Sequence, residues 1–108
     1  MFLKGETVMV KHIILWQLND DLSDIQKAGV KNGIKRGLEG LGGKIPGLLE
    51  IKVFTEPLET SNADVMLLSV FEDFASLKGY AVNPLHVDVA NTRVRPYTKS
   101  RVCMDYSE

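Results

Sequence analysis

Residues 8–18 read VMVKHIILWQL. The run is rich in β-branched and aromatic residues and holds no glycine or proline, which is the composition of a strand. Successive strand side chains point to opposite faces. Val10, His12, Ile14, Trp16 and Leu18 therefore share one face, and Met9, Ile13 and Leu15 share the other. Both faces are largely apolar, so the strand is expected to be buried on both sides. Helices can cover one face of a sheet in a small domain. The other face then needs cover from elsewhere.

Working outward, NDDLSD supplies helix N-caps and negative charge for a helix start. Residues 22–41 carry Ile25, Ala28, Val30, Ile34, Leu38 and Leu41 at three- and four-residue spacings, which predicts a helix with these residues inward. Gly29, Gly33 and Gly37 recur every four residues and form a stripe that permits close approach of a sheet or another helix. Gly42 and Gly43 stop the helix, and Pro46 and Gly47 make a turn. Residues 48–56 read as a second strand, with Leu49, Ile51 and Val53 alternating with Glu50 and Lys52. Residues 63–72 read as a third strand, apolar on both faces. Asp73 caps a second helix whose Phe74, Leu77, Tyr80 and Ala81 lie on one face. Asn83 caps a third, short helix with Pro84 in its first position. Residues 97–107 form a last strand.

The order β-α-β-β-α-β, with an extra helical excursion before the last strand, is the ferredoxin-like α+β plan with a four-stranded antiparallel sheet. Its helices cover one face. A second copy of the sheet would cover the other, which predicts a face-to-face homodimer. A chain of 108 residues suits one domain, expected over 9–107, after a short N-terminal extension at 1–8.

Net charge is −1, against the basic balance that nucleic-acid binding requires. Arg93, Arg95, Lys99 and Arg101 make a local basic run, expected to be a solvated loop and strand edge. No apolar run approaches the length of a membrane span, and residues 1–9 lack the pattern of a secretory leader. The single cysteine, Cys103, rules out an intrachain disulfide and is expected to pack as a small hydrophobe. A reducing, cytoplasmic setting fits this composition. There is no phosphate loop, no dinucleotide fingerprint and no GxSxG, so no nucleotide or other cofactor is expected.

Chemistry centres on GYAVNPLHVDV, residues 79–89. His86 is the third residue of the short helix. The partial positive charge of a helix N-terminus disfavours imidazolium, so a neutral, proton-accepting His86 is expected. Tyr80 lies on the inward stripe of the preceding helix. Asp105, on the last strand, is the candidate to hold the other nitrogen of His86. A Tyr80/His86/Asp105 set suits proton abstraction beside a carbonyl. A purely structural helix-start role for His86 is the alternative. His12 sits among apolar neighbours as a core or cavity-edge residue, with Trp16 on the same face. His12 and His86 lack a metal-site spacing, so no metal is expected.

VKHIILWQL, VFEDFASLKGYAVNPLHVDV and VCMDYS together resemble the stress-responsive A/B barrel domain (Dabb) family over about residues 9–107. The tyrosine and histidine six residues apart, with proline two before the histidine, are the most specific part. The resemblance implies a dimeric α+β barrel, two ferredoxin-like units packed sheet to sheet. In one plant member that closes and aromatises a polyketide, the catalytic tyrosine and histidine correspond to Tyr80 and His86. Its supporting aspartate corresponds to Asp105, and a first-strand histidine to His12. Another pocket histidine of that cyclase is replaced by Val65, and the first helix here has no aromatic residue. The expected role is therefore a small homodimeric barrel protein that binds a small apolar or carbonyl-bearing ligand, with His12, Trp16, Tyr80 and His86 as binding residues. A cofactor-free lyase, cyclase or isomerase, and a stress-protective oligomer, are the alternatives.

Overall fold

β1 (Val10–Leu18) lies inside a four-stranded antiparallel sheet of order β2-β3-β1-β4, hydrogen-bonded to β3 on one side and β4 on the other. The computed structural model describes residues 8–108, so the extension expected over 1–8 lies, but for residue 8, outside the described residues. After β1 the chain forms α1 (Asp24–Glu39), β2 (Leu48–Phe54), β3 (Val65–Phe71), α2 (Phe74–Val82), α3 (Pro84–Val89) and β4 (Thr98–Ser107). The excursion between α3 and β4 continues through a π-helical turn, Ala90–Val94, and a 3₁₀ turn, Arg95–Tyr97. This is the ferredoxin-like arrangement read from the sequence. No helix among the described residues is long and apolar enough to cross a membrane.

Side-chain caps place the helices. Ser23 accepts from the Gln26 backbone N–H while the Gln26 side chain accepts from the Ser23 N–H, a reciprocal box at the start of α1. Asp73 starts α2 by accepting from Ser76 N at 2.8 Å. Asn83 ends α2 and caps α3 by accepting from Leu85 N at 3.0 Å. At its far end α1 is tied to the sheet: Glu39 accepts from both Lys35 and the Val53 backbone N–H at 2.9 Å.

The helix-facing side of the sheet carries Val10, Ile14, Trp16 and Leu18 from β1, with Val65, Leu67 and Phe71 from β3, all buried. Ile34 and Leu38 of α1 and Leu77 and Tyr80 of α2 close over them. Several expectations about inward residues need correction, Ala28 and Ala81 among them, since both are exposed. Ile25 is 86% exposed, because it sits in the first turn of α1. Phe74 is 56% exposed at the start of α2, where Lys78 lies over its ring at 5.0 Å. Leu49 is exposed and Leu48 packs on the core instead, because the β2–β3 register shifts between Leu48 and Glu50. A one-residue shift sends a side chain to the opposite face.

The other face of the sheet is uncovered in the single chain. Leu15 stands opposite Val102, and Ile13 opposite Met104. Val102 and Met104 are 63% and 65% exposed, and Leu15, Tyr106 and Phe54 are exposed with them. A contiguous apolar face of this kind marks an interaction surface.

The glycine stripe of α1 works at one end only. A Cβ at Gly37 would lie 2.9 Å from Val89 Cγ1, so α3 packs against bare backbone there. At Gly29 nothing lies within 4 Å. Replacing an interior helical glycine by alanine gains about 1 kcal/mol where space allows. Gly29→Ala should therefore raise the melting temperature, and Gly37→Ala should lower it by displacing Val89. Thermal melts of the two variants check this; a Gly37→Ala melt above wild type would contradict the close approach.

Candidate functional site

The helix-facing side of the sheet holds a cavity of about 530 Å³ between β1, β4 and the α2–α3 excursion. Ile14, Trp16 and Leu67 form its sheet side, with Leu38, Leu77 and Val94 on the helical side. Among the polar side chains that join this apolar lining are His12 from β1, Tyr80 from α2 and His86 from α3. The residues singled out for ligand binding, His12, Trp16, Tyr80 and His86, thus line one cavity. Asp105 is not part of the lining.

Tyr80 follows Leu77 by three positions on the buried stripe of α2 and is 1% exposed. Its ring packs 5.1 Å from Phe71, 6.0 Å from His12 and 4.1 Å from His86, centroid to centroid. Its hydroxyl has no hydrogen-bond partner among the described residues. A buried polar group left unpaired costs about 1–3 kcal/mol. Burial pushes the phenol well above its ordinary range, against a smaller opposing pull from Arg101. Tyr80 therefore stays protonated and is available as a donor.

His86 is the third residue of α3, with its ring Nδ1 3.4 Å from the carbonyl oxygen of Ala81. A carbonyl only accepts, so this contact assigns the proton to Nδ1 and leaves the Nε2 lone pair free. Burial lowers the His86 pKa below its ordinary value, and His12, Arg95 and Arg101 add to that, while the Ala81 carbonyl works the other way. The neutral imidazole expected from the sequence is reached, chiefly through desolvation rather than through the helix terminus.

Asp105 does not support His86. It accepts from Nδ1 of His12, because the β1–β4 register sets residues 12 and 105 directly opposite each other. Cys103, expected to be packed, is exposed beside this pair, its Sγ 3.5 Å from Asp105 and 3.8 Å from His12. Burial and then Asp105 push its thiol pKa up, away from a reactive thiolate. The donor atoms of His12, Cys103 and Asp105 lie within 4.8 Å of one another. They could hold a divalent ion only by giving up the His12–Asp105 hydrogen bond and the thiol proton.

Sequence reasoning missed the charged lining. Arg95, Lys99 and Arg101 are exposed, as the solvated loop and strand edge read from the sequence requires, and they also border the cavity, which was not foreseen. The available signal was parity along β4: Arg101, Cys103 and Asp105 alternate onto the face that carries His12. The arrangement as a whole joins a protonated phenol, a basic imidazole nitrogen and an apolar floor. That combination can polarise a carbonyl and accept a proton beside it.

Two measurements check these assignments. In an NMR titration His86 should show a midpoint below the ordinary 6.5, with the Nδ1–H tautomer in its neutral form. Its depressed pKa means that the unfolded chain binds the proton more readily, so stability should fall as pH drops below about 6.5. A His86→Gln variant should lose that part of the decline. In urea unfolding, Asp105→Ala should cost about 1–3 kcal/mol by leaving a buried His12 nitrogen unpaired, and Asp105→Asn, which keeps an acceptor, should cost less.

Comparison with known proteins agrees with this fold. A dimeric protein of unknown function and ferredoxin-like fold from Bacteroides fragilis is 33% identical, covers 93% of this chain and 96% of its own, and superposes with a TM-score of 0.86. A dimeric ferredoxin-like protein of unknown function from Thermobifida fusca is 19% identical over 99% of this chain and 97% of its own, with a TM-score of 0.76. The hydroxynitrile lyase from Passiflora edulis is 18% identical over 93% of both chains, with a TM-score of 0.70, a likeness of fold alone. No curated protein matches the chain. The model of the stress responsive A/B barrel domain matches residues 10–108. The chain belongs to that family.

Proposed function

We propose that the protein works as a homodimer, two copies joined through their uncovered sheet faces into an α+β barrel, with each copy binding a small apolar, carbonyl-bearing molecule in its cavity. The observation that carries the ligand reading is Tyr80, a residue of the cavity lining whose buried hydroxyl has no partner among the described residues. A ligand oxygen would satisfy it, and a cavity with an apolar floor and a few convergent polar groups is the usual form of a small-molecule site. The dimer reading is supported by the exposed Leu15, Val102 and Met104 and by the dimeric state of the Bacteroides fragilis relative.

A second reading follows from His86 lying against Tyr80. Nε2 of His86 would take a proton from the carbon beside the bound carbonyl, and the Tyr80 O–H would stabilise the enolate oxygen. This would make the protein a cofactor-free lyase, cyclase or isomerase. Asp105 would then act only through His12.

Tyr80→Phe separates stability from binding. It removes an unpaired buried hydroxyl, so the variant should melt at or above wild type, yet lose the thermal shift that aromatic carbonyl compounds give the native protein. If no such compound shifts the native melt, the binding reading is abandoned. Met104→Asp should convert a dimer to a monomer in analytical ultracentrifugation, because it buries a charge in the proposed interface. A native monomer would exclude the barrel, and a ring of many copies would favour the stress-protective assembly. His86→Gln should abolish any turnover while leaving the dimer in place.

A further inference from the structure

The chain carries a net charge of −1, yet every charged side chain lining the cavity is a cation: Arg95, Lys99 and Arg101. No aspartate or glutamate lines it. Two of the three cations are engaged. Lys99 donates to Asp20 at 2.6 Å, and Arg95 donates to the side-chain oxygen of Asn91. Arg101 makes no ion pair among the described residues. It stands opposite Trp16 in the β1–β4 register, on the cavity face of the edge strand. It lines the cavity together with Tyr80 and His86. Arg101 is an exposed residue, so its guanidinium meets water as well as the cavity. A carboxylate matches its planar fork with two parallel hydrogen bonds.

Resting on the ligand-binding reading above, we propose that the cavity selects molecules bearing a carboxylate, received by the guanidinium of Arg101, on an aromatic or similar apolar body seated over Ile14 and Trp16. Tyr80 then donates to an oxygen of that body or to the carboxylate itself. The two arginines and the lysine make the site selective by charge, and the floor makes it selective by shape.

Calorimetric titration with α-naphthoate and its neutral isostere α-naphthaldehyde tests this. Naphthoate should bind the native protein about tenfold more tightly or better. Arg101→Gln should lose that advantage and leave the aldehyde affinity unchanged, which also reports that the cavity is intact. Arg101→Lys should restore only part of it, because an ammonium lacks the fork. Equal affinity for the two compounds, or undiminished naphthoate binding by Arg101→Gln, would overturn the carboxylate assignment and leave the binding reading standing. Binding of neither compound would overturn both.

Discussion

The antiparallel register between β1 and β4 is the constraint on which the site depends. It sets His12 against Asp105, Ile14 against Cys103 and Trp16 against Arg101. All six residues project to the helix-facing side. One register therefore decides which carboxylate holds His12, which residue stands beside the floor and where Arg101 meets the cavity. A slip by one residue would send Arg101, Cys103 and Asp105 to the opposite face. The pairing is held on the other side of β1 by β3, whose Val65, Leu67 and Phe71 are buried with Ile14 and Trp16 in one core.

Within that frame the site carries an unmet demand. A small domain satisfies nearly all its buried polar atoms. Here the Tyr80 ring packs against those of Phe71, His12 and His86, and its buried hydroxyl has no hydrogen-bond partner among the described residues. A buried hydroxyl costs stability unless some partner reaches it. Desolvation acts on His86 in the complementary direction and keeps it neutral, so one environment maintains a donor and an acceptor side by side.

Much of the fold was legible because its signals are local. Capping residues Ser23, Asp73 and Asn83 mark helix starts by hydrogen bonds that span two or three positions. Alternation in 8–18 exposes the strand, and its two apolar faces announce a second covering. What local pattern could not supply was where each stripe ends. Ile25 and Phe74 fit the helical period and still lie outside, because the core does not reach the first turn of their helices. Leu49 fits the strand period and is turned out by the register shift in β2.

The sequence by itself determined the element order, the caps, the buried stripe bearing Leu77 and Tyr80, and the position of His86 in the first turn of α3. Periodicity and capping act over a few residues, so these follow from composition and spacing. The tertiary structure alone decided that Asp105 serves His12 rather than His86, that Cys103 is exposed, and that Arg101 faces a cavity instead of solvent alone. Those outcomes join residues about ninety positions apart through strand register and helix packing. No short-range pattern encodes such a pairing, because it depends on how the whole sheet and its covering helices settle against one another.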